Sequence, residues 1–294
     1  MPPMNVGIVA KSHLREAMPH LAEIESWLEA RGVQPVFETA TAALMPPNPK
    51  RRLADKGELV TQVDLIVVLG GDGTLLSVAG CIASADVDVP ILGVNFGSLG
   101  FLTEATLPEL YPSLEAALAG RAKVEARMML RATTIRQGAA APLPEQLALN
   151  DVVITKSARA RMTDLSVSLG EEFVTRVKAD GLIVATPTGS TAYNLSAGGP
   201  IVQPVVDALV LTPIAPHMLT NRPIVIPASS LVRVQPLMTD RDELYVTFDG
   251  QAGYELRAGD EVQIQSAKRR VRLLRPSTRS YFEILRQKLK WNER

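Results

Sequence analysis

The chain has 294 residues, 46% hydrophobic and 21% charged, and its 31 basic and 31 acidic side chains cancel. This composition excludes an intrinsically disordered chain, and zero net charge leaves no overall basic field for coating nucleic acid or an anionic membrane. One cysteine and three histidines exclude an intrachain disulfide and the usual structural zinc site; with no apolar run near 18 residues and no signal-peptide n-region, a cytoplasmic protein is expected.

The length suggests about two domains. Residues 6–10 (VGIVA) form an apolar run of the kind covered on both faces of a parallel sheet. Leu21, Ile24 and Leu28 then recur at helical spacing, with Pro19 in the first turn and Gly32 as a stop. Val36 and Phe37 suggest a second strand, and residues 41–58, with three prolines at 46, 47 and 49, read as a mobile loop. Residues 63–69 (VDLIVVL) are the strongest buried strand, 75–82 read as a helix and 90–95 as another buried strand. Leu110, Leu114 and Leu118 mark a helix ending near Gly120. Strand and helix alternate, which predicts an α/β domain with a doubly wound parallel sheet over residues 1–125.

The pattern then changes. Short alternating segments at 128–135, 148–155, 165–169, 172–178, 224–227, 231–235, 244–248 and 261–264 are separated by turn residues, and an apolar run at 182–185 reads as a buried strand that feeds a polar turn. They predict an all-β sandwich over residues 126–266. A last strand at 271–274 and a C-terminal helix, with Tyr281, Phe282, Leu285 and Leu289 on one face and Ser280 with Glu283 as a capping box, make up residues 267–294. This segment is expected to return to the α/β domain.

Three places concentrate chemistry. Gly70-Gly71-Asp72-Gly73-Thr74 follows the strongest strand and opens a helix, where unpaired N–H groups favour a phosphate. The Asp72 carboxylate is out of place beside an anion unless it meets a cation or a hydroxyl to be deprotonated; the bland alternative is that it caps the helix. No Walker-type motif occurs, and Leu76 stands where a dinucleotide fingerprint needs its third glycine. Asn150-Asp151 either reads ribose hydroxyls or simply turns the chain into a strand. Residues 179–199 carry six hydroxyl side chains (Thr186, Thr188, Ser190, Thr191, Tyr193, Ser196) and four glycines, a polar turn able to wrap a ligand while Tyr193 stacks on a base. Gly93, Gly97 and Gly100 read as turn geometry with close backbone packing, His217 as structural, and Cys81 as a small buried apolar residue.

Taken in order, Gly70–Thr74, Asn150-Asp151, Asp180-Gly181, the run 186–193 (TPTGSTAY) and 196–200 (SAGGP) resemble the bacterial NAD kinase family over nearly the whole chain. The first motif alone also occurs in lipid kinases and phosphofructokinases; the run 186–193 is the more specific part. The resemblance implies a Rossmann-like α/β domain and a β-sandwich with NAD between them. It also implies phosphoryl transfer from ATP, assisted by Mg²⁺, to the 2′-hydroxyl of the adenosine ribose of NAD, giving NADP. By position, Asp72 would be the catalytic carboxylate, as base or orienter, with Gly73 beside it. Asn150 and Asp151 would bind NAD, and Asp180 would contact its nicotinamide side. Thr191, Ala192, Tyr193, Asn194, Leu195 and Ser196 would surround the adenine and its ribose, with Thr188, Ala215 and Gln251 as further contacts and Arg161 and Lys178 as polar groups nearby. A basic Lys178, where some relatives have glycine and use NADH, implies oxidised NAD as substrate. The family further implies a homodimer or homotetramer in which Ala215 can belong to a contact with a neighbouring subunit. Two rivals remain: a lipid or sugar kinase, and a dinucleotide sensor without turnover.

Overall fold

The computed structural model describes residues 4–12, 15–97, 99–157, 162–218, 220–237, 243–275 and 279–291. The chain divides into two compact units, residues 1–126 with 271–294, and residues 127–270.

In the first unit, β1 (Asn5–Ala10) is buried except at its first residue. α1 (Met18–Glu29) buries Leu21, Ile24 and Leu28, begins with Pro19 in its first turn, and is followed by Gly32 at φ +70°. β2 (Gln34–Glu38) comes next. The segment expected to be a mobile loop contains regular structure in part: the end of α2 (Thr39–Ala42), β3 (Arg52–Ala54) and the start of α3 (Lys56–Gln62) lie within it. Its prolines occupy only the turn between α2 and β3, and β3 is a three-residue edge strand on β2, too short to show a periodicity. β4 (Leu65–Leu69) is wholly buried, α4 (Asp72–Ser84) follows, and then β5 (Ile91–Asn95), β6 (Ala105–Thr106) and α5 (Leu110–Leu118).

The strands pair in parallel in the order β3-β2-β1-β4-β5, with β6 on β5. From β1 the chain moves outward to β2 and β3 and then returns to place β4 on the other side of β1. The order therefore reverses between β1 and β4, and open α/β sheets take ligands at the carboxyl ends of the strands at such a reversal. The carboxyl end of β4 leads straight into Gly70 and Gly71.

The second unit is reached through β7 (Lys123–Ile135), which pairs with β8 (Gln146–Ala148). One antiparallel sheet contains β10 (Thr163–Leu169), β11 (Glu172–Ala179), β15 (Val232–Pro236) and the first part of β18 (Glu261–Arg275). The other is β14-β13-β12-β9-β16-β17, formed by β9 (Asp151–Lys156), β12 (Gly181–Ala185), β13 (Ala208–Ile214), β14 (Ile224–Pro227), β16 (Leu244–Phe248) and β17 (Ala252–Leu256). The two sheets share one apolar core, with Leu165, Val234 and Ile264 from the first and Ile154, Leu182 and Val246 from the second. The outer face of the second sheet, at Val153, Ile183, Ala185 and Val210, is covered by Ala197 and Val202 of the segment after β12, just past the short helix α6 (Tyr193–Ser196).

Three details depart from the sequence reading. β13 carries Pro213, which argues against a central strand; β14 pairs only with residues 208–211, so Pro213 lies beyond its reach and the missing N–H breaks no ladder there. Residues 261–264 and 271–274 belong to one strand, β18, because the basic residues between them are exposed without interrupting it. Its end pairs with β5 through Leu273 and Leu274, in the first unit. α7 (Tyr281–Leu289) has the expected capping box, but it buries Ile284 and Leu285 while Phe282 is 53% exposed, so its inward face is rotated from the expected one. Arg275 holds this segment to the first unit through Glu104 at 2.7 Å and Glu125 at 2.9 Å.

Candidate functional site

The first group of candidate residues is built at the end of β4. Gly71 is the N-cap of α4 and Asp72 its first residue, and no side chain caps this helix end. The capping role for Asp72 is thereby set aside. Its carboxylate turns instead to the loop after β5. Oδ1 accepts from Leu102 N at 3.1 Å, Thr103 N at 3.0 Å and Thr103 Oγ1 at 2.9 Å, and Oδ2 accepts from Phe101 N at 2.9 Å. Gly100 makes this possible, since a Cβ there would fall on Asp72 Oδ1 and Thr103 Oγ1. Gly73 is exposed and has open space where a side chain would be. A carboxylate is thus fixed beside a helix N-terminus whose dipole suits a phosphate. Sequence reasoning noticed Gly93 and Gly100 but not the residues they make room for.

The second group is built around Asn150 and Asp151. Asn150 lies in the break between β8 and β9, and Asp151 is the first residue of β9. The break is held by Asp249, whose carboxylate accepts from the backbone N–H groups of Leu149 (2.7 Å), Asn150 (2.7 Å) and Asp151 (3.1 Å). Asp249 sits at φ +51° in the turn between β16 and β17, with Gly250 at +62°, and Gln251 N closes that turn on Phe248 O at 2.9 Å. From the other side, Thr186 N donates to Asn150 O and Thr186 Oγ1 to Leu149 O. Gly189 packs so closely that a Cβ would fall on the Asn150 carbonyl. The Asn150 side-chain amide has no hydrogen bond among the described residues and is free for a ligand. Asp151 is buried, and burial first, then the neighbouring Asp249 charge, pushes its carboxyl up to about 7. Asp249 is also raised by burial, against the pull of its three N–H donors. Asp249 escaped the sequence reading, although the dipeptide Asp249-Gly250 is a hairpin-turn signal.

The turn after β12 contains side chains of two kinds. Asn194 is fully buried, with Nδ2 donating to Ser190 O and Pro200 O and Oδ1 accepting from Thr212. Its amide is committed to holding the turn. Thr188 is buried with Oγ1 at 3.4 Å from Arg127 Nη1. Tyr193 is 45% exposed and Ser196 is exposed, while Thr191, Ala192 and Leu195 are half-buried. Asp180 lies 3.6 Å from Lys156, and its N–H donates to Ile214 O. Lys178 is exposed, and its carbonyl accepts from His217 N, which draws Lys178, Asp180 and Ala215 together; Ala215 is exposed at φ +44°. Arg161 lies outside the described residues. Among the described residues no three His, Cys, Asp or Glu side chains come together to hold a metal ion.

Two family models match the chain: the ATP-NAD kinase N-terminal domain over residues 6–122 and the ATP-NAD kinase C-terminal domain over residues 149–276. An NAD kinase of Geotalea daltonii is 48% identical over 289 residues, which cover 98% of this chain and 99% of that one. An NAD kinase of Geobacter sulfurreducens is 48% identical over 294 residues, with the same shares covered. Among solved structures, yeast NADH kinase complexed with NADH superposes with a TM-score of 0.89 at 28% identity, covering 100% of this chain and 89% of that one. An NAD kinase from Archaeoglobus fulgidus in complex with ATP gives 0.76 at 27% identity, covering 97% and 99%. With near-complete coverage by such relatives and the motif residues built into two defined clusters, the chain belongs to the ATP-NAD kinase family.

Proposed function

We propose that the chain catalyses its family's reaction, phosphoryl transfer from ATP to NAD, with Asp72 as the group that orients the 2′-hydroxyl of the adenosine ribose and takes its proton. The observation that carries this reading is the Asp72 carboxylate fixed at the N-terminus of α4, beside the reversal in strand order. A carboxylate held by a separate loop, not spent on capping, is available to a hydroxyl. Phosphoryl transfer depends on alignment and charge neutralisation more than on covalent chemistry. A ribose hydroxyl is a weak acid, so its proton passes to the carboxylate late, as the new P–O bond forms and the bond to ADP breaks. Mg²⁺ would enter with ATP and would neutralise the donor phosphates, and every step above is assigned to the chain's own residues.

NAD binding falls to the second unit. The free Asn150 amide and the Asp151 carboxyl hydrogen-bond the dinucleotide, and exposed Tyr193 gives a flat face for the adenine. Thr188, Thr191, Ala192, Leu195, Ser196 and the Gln251 turn border this region, Asp180 takes the nicotinamide side, and Asn194 acts through the turn it holds. Arg161 remains a candidate on resemblance alone. Lys178 stands where some relatives that use NADH have glycine, and on that resemblance the acceptor is oxidised NAD. Homodimer or homotetramer formation is supported by the exposed apolar side chains Val205, Val206, Met218, Ile224 and Val225 on the second unit. The test is incubation with ATP, Mg²⁺ and either NAD or NADH, read with an NADP-specific dehydrogenase. The expected result is NADP from NAD, formed faster than NADPH from NADH. A phosphorylated product that the dehydrogenase does not accept would contradict the 2′ position, and equal rates would contradict the role of Lys178.

A further inference from the structure

We propose that Thr103 is the positioning residue for Asp72, so that Oδ2 and not Oδ1 faces the acceptor hydroxyl; this rests on the reading of Asp72 above. Thr103 is fully buried, and its hydroxyl sits between two partners. Asn95 Nδ2 lies 3.0 Å from Thr103 Oγ1, and Thr103 Oγ1 lies 2.9 Å from Asp72 Oδ1. The orientation of the Asn95 amide is set by Gly97 N, which donates to Asn95 Oδ1 at 2.6 Å. Asn95 Nδ2 can therefore only donate to Thr103. A hydroxyl has a single proton, and with Asn95 donating into its oxygen that proton points at Asp72. The relay has one direction: Asn95 to Thr103 to Asp72.

The two carboxylate oxygens end up unequal. Oδ1 takes three donors, Leu102 N, Thr103 N and Thr103 Oγ1, and Oδ2 takes one, Phe101 N. A carboxylate has about two acceptor sites per oxygen, so Oδ1 is filled and Oδ2 keeps one free. The packing is arranged for Thr103 as well. A Cβ on Gly93 would come within 3.1 Å of Thr103 Cα and Cγ2, and a Cβ on Gly100 would fall on Thr103 Oγ1. The glycine pattern after β4 thus clears the space in which the relay sits.

Thr103→Val keeps the shape and removes the hydroxyl. The side chain of Asp72 then loses a directed bond, and misplacement of a reacting group by about 1 Å can cost on the order of a hundredfold in rate. The expected result is a fall in kcat of about tenfold or more, with KM for NAD within about threefold of wild type, because the dinucleotide contacts assigned above lie elsewhere. Thr103→Ser, which keeps the proton, should recover kcat to within about threefold. Thr103→Ala, which also lacks the hydroxyl and cannot overpack, should be slow as the valine variant is. Valine and alanine variants with wild-type kcat, or a serine variant as slow as valine, would overturn the proposal. Asp72→Asn is measured alongside: if it is slow while Thr103→Val is normal, only the positioning role falls. If Asp72→Asn turns over at the native rate, the reading of Asp72 falls and the role of Thr103 with it.

Discussion

Asp151 is a buried carboxyl beside a second carboxyl, and both conditions oppose its charge. Its value of about 7 in the fold lies above that of an unfolded carboxylate. Between the ordinary carboxylate range and pH 7 the folded chain thus binds a proton at Asp151 that the unfolded chain has released. The sign of the linkage follows: this group stabilises the fold least above pH 7, and its penalty disappears as pH falls toward the ordinary carboxylate range. Asp151→Asn removes the penalty. It should be more stable than wild type at pH 8, with the gap narrowing at pH 5, as read from urea midpoints at the two pH values. An equal gap at both would show that Asp151 does not titrate in this way. The proton also has a use in the proposed function, since a neutral carboxyl can donate to a ligand as well as accept. None of this was visible in the dipeptide Asn150-Asp151, because the causes are burial in the folded chain and then the charge of Asp249, about a hundred positions away.

At the scale of elements, the meeting of the turn after β12 with the break before β9 illustrates what a sequence shows and what it withholds. Many strands were legible, since β1, β4, β5 and β12 contain apolar runs buried on both faces, while β9 falls within the expected segment 148–155 but begins only at Asp151. The helices α1 and α7 were legible through spacing and capping, as with Ser280 and Glu283. What was hidden depends on partners. β13 tolerates Pro213 only because β14 is short, β3 exists only as an addition to β2, and the inward face of α7 is set by what it packs against. The same holds for the site: Asp72, Asn150 and Asp151 stood out by residue type, whereas Thr103 and Asp249 act through hydrogen bonds that no local pattern announces. Gly189 is a direct test of the junction. In Gly189→Ala the new methyl meets the Asn150 carbonyl, a backbone group that cannot swing away. The expected cost is about 1–3 kcal/mol of stability, the usual range for overpacking, together with a higher KM for NAD. A native KM would show that the placement of Asn150 is not critical for NAD.

At the scale of the whole molecule, the two units divide the work in the proposed reaction: the first carries the carboxylate and the helix terminus, the second the dinucleotide contacts. The exposed apolar residues on the second unit include Ile224 and Val225 of β14, an edge strand of its sheet. An edge strand with exposed apolar side chains can pair with another chain, and a symmetric dimer is the simplest closed form of such pairing. Sedimentation under assay conditions should give a dimer or tetramer; a monomer with full activity would contradict the proposed assembly. The central claim concerns the division between chemistry and binding, and Asp72→Asn tests it most directly. Turnover of NAD with ATP and Mg²⁺ and affinity for NAD by calorimetry are measured on the same variant. The prediction is a loss of at least about a hundredfold in kcat, the usual range for removing a general base, with NAD affinity changed by less than about threefold. Turnover near the wild-type rate would contradict it.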